Sequence, residues 1–120
     1  MAPGPRAILA FIAASLVTGR RRASVYDFAD GRHRLVSGSV DAGRVSVYDH
    51  SDGCHITGSG SAGHLSLYHF GLGAHLTLDV AGAQFRGYDF GSGSHYSGHV
   101  SGNTVTIYDF GEGKYFQYAV

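Results

Sequence analysis

One short segment recurs five times along the chain, and this repetition limits the fold more than any other feature. Its clearest copy is Val105-Thr-Ile-Tyr-Asp-Phe-Gly-Glu-Gly, and the central tyrosines of the copies are Tyr26, Tyr48, Tyr68, Tyr88 and Tyr108. The copies are therefore 22 residues apart once and 20 residues apart thereafter. A period of this size predicts a repeat architecture. We divide the chain into residues 1–23, an apolar helix with an Arg-rich linker, and residues 24–120, a five-repeat β domain.

Each repeat contains two runs in which apolar and polar residues alternate, separated by glycine-rich segments. Such alternation predicts half-buried strands. One type of turn resembles Gly111-Glu112-Gly113, and the other centres on pairs such as Gly102-Asn103. Pairs of this kind are typical of two-residue hairpin loops, where glycine supplies the positive φ. We therefore predict about ten short strands, two in each repeat.

Two architectures fit this pattern, an antiparallel meander of hairpins and a parallel β-solenoid with a helical cap. If Gly102-Asn103 is a two-residue loop, Gly98 lies opposite Ile107, and each equivalent hairpin also sets a glycine against a large aliphatic residue. Directly opposed residues of complementary size stabilise a sheet. The other such pairs are Gly38 with Val47, Gly58 with Leu67, and Leu78 with Gly87. We favour the meander and keep the solenoid as the alternative.

The meander is expected to remain an open, twisted sheet, because its hairpins are predicted to add no stagger and a closed barrel requires shear. One of its faces is aliphatic, with residues such as Val45, Leu67 and Ile107. A single helix about 10 Å across is too narrow to cover ten strands spaced about 4.8 Å apart. Because large exposed apolar patches mark interaction sites, we expect a homo-oligomer that self-associates through this aliphatic face and the N-terminal helix.

The segment Ala7 to Val17 is one largely apolar run between two prolines and an arginine cluster, which predicts a helix. Eleven residues span about 16 Å, less than the roughly 30 Å of a hydrocarbon core. A helix that is apolar all round is typically buried, so we favour a packed helix over a secretory signal or a membrane-surface or oligomer contact. Accordingly, we expect a cytoplasmic rather than a secreted protein, with membrane contact not favoured.

Composition argues against several classes of function. Positive and negative side chains balance, with 9 Lys plus Arg and 9 Asp plus Glu, so nothing indicates nucleic-acid binding. Cys54 is the only cysteine and cannot form an intrachain disulfide. Gly58 to Gly63 matches a dinucleotide fingerprint, but a strand rather than the required helix follows it. We predict no enzyme activity, no cofactor and no metal.

The second sheet face carries the candidate binding residues. Tyrosines alternate there with short hydroxyl side chains, beside a row of histidines and phenylalanines that includes Phe70, Phe90, Phe110 and Tyr115. Equivalent histidines lie on alternate strands, about 9.6 Å apart, too far to share one ion. The aspartates before the glycine turns are expected to accept hydrogen bonds from turn amides. The candidate binding residues are Tyr48, Tyr68, Tyr88, Tyr108, His55, His75 and His95.

The Tyr-Asp-aromatic repeat resembles short bacterial repeat proteins that carry an Ala-Ile-Leu-Ala-Phe-Ile-type N-terminal segment and have no characterised function. It is similar, more weakly, to the Tyr-Asp repeats of Rhs-type toxin shells, which build hairpin spirals. In those repeats two residues separate Asp from Gly, whereas three separate Asp49 from Gly53 here, and His69 replaces the aspartate in one copy.

From the sequence we expect a non-enzymatic structural or self-assembling binding module built from hairpin repeats. The alternative is an extracellular carbohydrate- or surface-binding protein that uses the tyrosine, histidine and hydroxyl face of the sheet, since tyrosine combines a large ring with a polar tip.

Overall fold

The computed structural model covers residues 1–120 and contains one helix followed by ten antiparallel strands. Each strand pairs with its neighbours in sequence, and β1 also pairs with β10, so the sheet closes into a barrel. The antiparallel β fold with one N-terminal helix is confirmed, but both the open sheet and the solenoid are wrong. The elements are α1 (Pro3–Thr18), β1 (Ser24–Asp27), β2 (Arg32–Asp41), β3 (Arg44–Asp49), β4 (Cys54–Ser61), β5 (His64–His69), β6 (Ala74–Ala81), β7 (Gln84–Asp89), β8 (Ser94–Ser101), β9 (Thr104–Asp109) and β10 (Lys114–Ala119).

The predicted hairpin register is present in the barrel. Gly98 lies opposite Ile107, and Asp41 lies opposite Arg44. Gly38 with Val47 and Gly58 with Leu67 pair as expected. A side chain at Gly98 would meet the Thr106 carbonyl oxygen and the Phe85 ring. Glycine at these positions therefore permits close approach of neighbouring strands as well as complementing residue size.

The barrel closes because the two strands of a repeat differ in length. Strands β4, β6 and β8 contain 8 residues each, whereas β5, β7 and β9 contain 6. Each repeat therefore shifts the register by the two-residue difference between 8 and 6. Accumulated around the sheet, this stagger supplies the shear that closure requires. The expectation that the hairpins add no stagger was wrong for this reason.

Helix α1 fills the barrel. Ile8 and Ile12 are buried, and so are Ala10 and Ala13 on the opposite side of the helix. The helix contacts β1 and β2 on one side and β6, β8 and β9 on the other. Eight strands leave a lumen that side chains fill, so ten strands leave additional space, which a helix about 10 Å across occupies. This environment explains why the helix is apolar all round.

The helix changes the argument for self-association. The aliphatic face, which includes Val45, Leu67 and Ile107, is buried within a single chain, because it points toward α1. An uncovered apolar face was the reason to expect a second copy, and that reason does not hold in the barrel. Self-association itself stays a prediction. No helix in the structure has the length and hydropathy needed to cross a membrane.

The barrel has two different rims. Five turns of four residues, such as 50–53, form the rim beside the start of α1, and we call this the long-turn rim. Four turns of two residues, such as 62–63, form the short-turn rim, where α1 ends. At that end Gly19 adopts a left-handed φ of 68° and donates its N–H to the Ser15 carbonyl at 2.9 Å, as is common at helix C-termini.

Buried aspartates form the inner edge of the long-turn rim. The Asp49 Oδ1 atom accepts the Ser51 N–H at 2.9 Å, and Asp109 Oδ1 accepts the Gly111 N–H at the same distance. This confirms the predicted hydrogen bonds to turn amides. In two of these aspartates the second carboxylate oxygen faces a buried arginine: Asp49 Oδ2 is 3.3 Å from Arg34 Nη1, and Asp109 Oδ2 is 3.1 Å from Arg6 Nη1.

Asp109 illustrates how this rim tolerates buried charge. Burial acts to raise the pKa of its carboxyl, but hydrogen bonds from the Met1 ammonium, a turn amide and the Arg6 guanidinium outweigh it and lower the pKa below its ordinary value of 3.8. Arg6 also lies 3.3 Å from the centroid of the Phe116 ring and donates to the Tyr118 hydroxyl at 2.9 Å. Pairing of this kind is what makes burial of an ion tolerable.

Candidate functional site: the outer aromatic belt

The predicted tyrosines lie on the outside of the barrel, each within an aromatic cluster. The Tyr68 ring, for example, packs edge-on against Phe70 at 4.8 Å and against His75 at 4.8 Å between centroids. We call the five equivalent clusters the aromatic belt. They are Tyr26–Phe28–His33, Tyr48–His50–His55, Tyr68–Phe70–His75, Tyr88–Phe90–His95 and Tyr108–Phe110–Tyr115.

The belt follows directly from strand geometry. Residues two apart on a strand share a face, so Tyr68 and Phe70 both point outward as β5 ends. The antiparallel register places His75 directly opposite Tyr68. The Phe70 N–H also donates to the His55 carbonyl oxygen at 3.0 Å, which joins one cluster to the next. The belt therefore continues around the barrel beside the long-turn rim.

Phenylalanines, rather than the predicted tyrosines, provide most of the exposed aromatic surface. The tyrosines are half-buried between their neighbours, whereas Phe28, Phe70, Phe90 and Phe110 are 57%, 57%, 61% and 58% exposed. Sequence reasoning placed three of these phenylalanines in the correct row but left all four out of the candidate binding residues. Their position two residues after each tyrosine, at the last outward site before a turn, could have identified them.

A groove of about 1040 Å³ opens on the outer surface of β5 to β10, next to the belt. Its aromatic end consists of Tyr108, Phe110 and Tyr115, and Tyr108 is the only predicted binding residue that lines it. Polar groups line the remainder. They include Arg86, Gln84 and the hydrogen-bonded side chains of His64 and Asp79, whose Nδ1 and Oδ1 atoms are 2.6 Å apart. The groove therefore combines aromatic rings with several hydrogen-bonding groups.

The predicted histidines are not brought together. His55, His75 and His95 each pack against the tyrosine of their own cluster, with ring centroids 4.7 to 4.8 Å apart. The structure contains no group of three or more His, Cys, Asp or Glu side chains placed to hold one metal ion. These histidines therefore act as packing partners within the belt.

One buried pair, Cys54 with His69, resembles a thiol–imidazole dyad but is electrically neutral. The Cys54 Sγ and His69 Nε2 atoms are 3.7 Å apart, and the Leu72 N–H donates to His69 Nδ1 at 3.1 Å. Burial raises the pKa of the Cys54 thiol and lowers the pKa of the His69 imidazole. A nucleophilic cysteine needs a lowered pKa, so this environment opposes thiolate chemistry.

Comparison with known proteins found no matching family model, no similar curated protein and no similar solved structure. The function is therefore inferred from the surface of the barrel.

Proposed function

We propose that the protein is a non-enzymatic binding module that recognises carbohydrate through the aromatic belt and its adjoining groove. The observation that carries the proposal is the placement of an exposed phenylalanine at the same site in four of five repeats. Leaving such a ring in water forgoes about 1.5–3 kcal/mol relative to burial. Most other large apolar side chains are buried, with Leu35, Leu72 and Tyr115 as the exceptions, and binding would account for a ring left in water at the same site of four repeats.

The groove supports carbohydrate as the ligand class. Ligand sites are typically concave and aromatic, with a few polar groups that fix orientation. A sugar ring has apolar C–H faces and polar edges. The rings of Tyr108, Phe110 and Tyr115 can contact the faces, while Arg86 and Gln84 can hydrogen-bond to the hydroxyls.

The interior supports a binding role over a catalytic one. The buried aspartates accept turn amides, and Asp49 and Asp109 also pair with Arg34 and Arg6. Neither the dyad of Cys54 and His69 nor the arginine-paired carboxylates of Asp49 and Asp109 offer an activated nucleophile or a free general base. Five nearly equal belt clusters also fit repeated contacts with an extended ligand better than a single reaction centre.

A glycan array followed by calorimetric titration tests the proposal. The double variant Phe110→Ser with Tyr115→Ser removes the aromatic end of the groove and is expected to weaken binding roughly tenfold or more, since such aromatic contacts dominate binding energy. Leu35→Ser is the control, because Leu35 is 60% exposed, about as much as Phe110, but lies outside both the belt and the groove. The proposal fails if no glycan binds, or if the control loses as much affinity as the double variant.

Self-assembly is the second candidate, and a different observation favours it. Leu72 at a turn tip is 54% exposed, and Phe70 and Phe90, each next to a long turn, are 57% and 61% exposed. The long-turn rim therefore carries exposed apolar side chains through which two copies could associate. Sedimentation at micromolar concentration tests this, with Phe70→Ser plus Phe90→Ser as the disrupting variant. A wild-type chain that sediments as a monomer would reject self-assembly.

A further inference from the structure

The short-turn rim contains a second cavity, distinct from the outer groove, of about 590 Å³. It opens where α1 ends and the chain crosses to β1. Arg20, Arg21 and Arg22 line one side, and Ser39 with neighbouring β2 residues lines the other. Phe11 lies among the apolar residues at its wall. We call this cavity the arginine pocket.

The positive charge of the arginine pocket is not neutralised by the protein. No carboxylate lies within 4.0 Å of a guanidinium nitrogen of Arg20, Arg21 or Arg22, whereas Arg6 and Arg34 at the opposite rim are both paired. Asp41 supplies the only acidic side chain among the lining residues. Three positive groups therefore face one negative group in a chain whose total formal charge is zero.

Arg22 is held in position without a counter-ion. Its Nη2 atom donates to the Thr18 hydroxyl oxygen at 3.1 Å, and the same oxygen accepts the backbone N–H of Arg20 at 3.3 Å. The Arg22 Nε atom is buried and has no hydrogen-bond partner. Burial, together with the charge of Arg20, lowers the pKa of Arg22. Because this Nε atom is buried, its unmade hydrogen bond is costly, and a bound anion that reached it would supply the partner.

The side chains of the arginines make no hydrogen bond to a carbonyl of the helix end, where basic side chains are commonly placed. The Gly19 N–H satisfies the Ser15 carbonyl, and the Thr18 hydroxyl donates to the Ala14 carbonyl at 2.7 Å. The side-chain hydrogen bond of this cluster, from Arg22, goes to the Thr18 hydroxyl and not to a helix carbonyl. The guanidinium groups are therefore available to a ligand.

We infer that the arginine pocket binds a phosphate group. Guanidinium presents its N–H groups as a planar fork that matches the oxygens of phosphate, and three such groups can surround one phosphate. The Ser39 side chain and the partly apolar wall at Phe11 leave room for a small organic substituent. The phosphate can come from a soluble phosphate ester or from a lipid headgroup, which share this chemistry.

Titration calorimetry of the full chain with inorganic phosphate and with glycerol 3-phosphate tests the inference at low ionic strength. Arg21→Gln is the principal variant, because Arg21 is exposed and makes no hydrogen bond or ion pair within the chain. We expect it to weaken phosphate binding roughly tenfold, the equivalent of about 1.4 kcal/mol. Arg44→Gln is the matched control, since it removes the same charge from the same rim outside the pocket. Circular dichroism checks that both variants fold.

A second arm distinguishes the sources of phosphate. Phosphatidylcholine vesicles with and without phosphatidic acid are sedimented with the protein. Binding that requires phosphatidic acid and is lost in Arg21→Gln supports a lipid headgroup, whereas binding of glycerol 3-phosphate alone supports a soluble ester. The inference is overturned if neither phosphate nor vesicles bind, or if Arg44→Gln weakens binding as much as Arg21→Gln.

Discussion

A substitution at Ala10 tests whether α1 lies inside a closed barrel or packs with only one of its faces against an open sheet. Successive helical residues are about 100° apart, so Ala10 lies nearly opposite Ile8. A helix packed on an open sheet would direct Ile8 toward the sheet and Ala10 toward water. In the barrel both residues are buried, Ile8 at 1% exposure and Ala10 at 0%, because strands surround the helix.

Ala10→Gln is expected to destabilise the protein strongly. Extra side-chain volume in a packed site costs about 1–3 kcal/mol, and an amide buried without a partner costs about 1–3 kcal/mol more. The expected loss in the free energy of unfolding is therefore about 2–6 kcal/mol. On a solvent-exposed helix face the same change would alter stability by only a few tenths of a kcal/mol, since glutamine forms helices nearly as well as alanine.

Urea unfolding followed by circular dichroism measures this difference. Ala23→Gln is the matched control, because Ala23 is exposed just after the arginine cluster and should tolerate the same change. The reasoning is refuted if Ala10→Gln stays within about 0.5 kcal/mol of the wild type, the range typical of surface substitutions, since α1 would then have a free face.

Two further predictions concern the strands and the long-turn rim. Gly98→Ala should destabilise the fold by about 1–3 kcal/mol, because the new methyl group would clash with the Thr106 carbonyl and the backbone must shift. Gly43→Ala, whose methyl group would meet only an ordinary contact at 3.5 Å, should leave the midpoint of thermal unfolding nearly unchanged; equal effects would contradict this account of strand approach. Because the folded pKa of Asp109 lies below its ordinary value of 3.8, its charge stabilises the fold above that pH, and the contribution disappears as the pH falls through the folded pKa. Asp109→Asn should therefore lower stability at neutral pH and weaken the acid dependence below about pH 4, and unfolding curves that keep the wild-type acid dependence would contradict this.

Much of the local structure could be predicted because it depends on neighbouring strands only. The pairing of Gly98 with Ile107 follows from one two-residue loop and one rule of size complementation. The turn hydrogen bonds of Asp109 require only the residues that follow it. The contact between Tyr68 and His75 requires one hairpin. Each of these features is determined within about twenty residues of chain, the length of one repeat.

Closure of the barrel could not be predicted from the same reasoning, because it depends on a small register shift in each repeat that adds up over the whole sheet. A difference of two residues between strands of 8 and 6 has little effect on one hairpin. Repeated around ten strands, it determines whether β1 meets β10. The spacing of the turns contains this information, but only if the unequal distances between the two turn types are summed along the chain.

Buried polar residues are the other feature that local patterns missed. Tyr96 occupies the same repeat position as Leu76 and points into the barrel, where its hydroxyl donates to the Thr77 carbonyl oxygen at 2.6 Å. Gly87 lies beside this hydroxyl, and any side chain at Gly87 would collide with the Tyr96 ring. The tyrosine therefore depends on a glycine of the neighbouring strand, a relation that alternation within one strand cannot reveal.

The helix and the number of repeats determine each other. An eight-stranded barrel is filled by its own side chains, so four repeats would leave no place for α1. Six repeats would leave space that α1 and the existing inward side chains could not fill, and voids of that kind are destabilising. Five repeats provide a lumen matched to one helix about 10 Å across. The helix packs against the inward-facing side chains of the sheet, so the outward-facing side chains need not contribute to the core. The exposed rings and charges of the outer face can therefore be selected for binding.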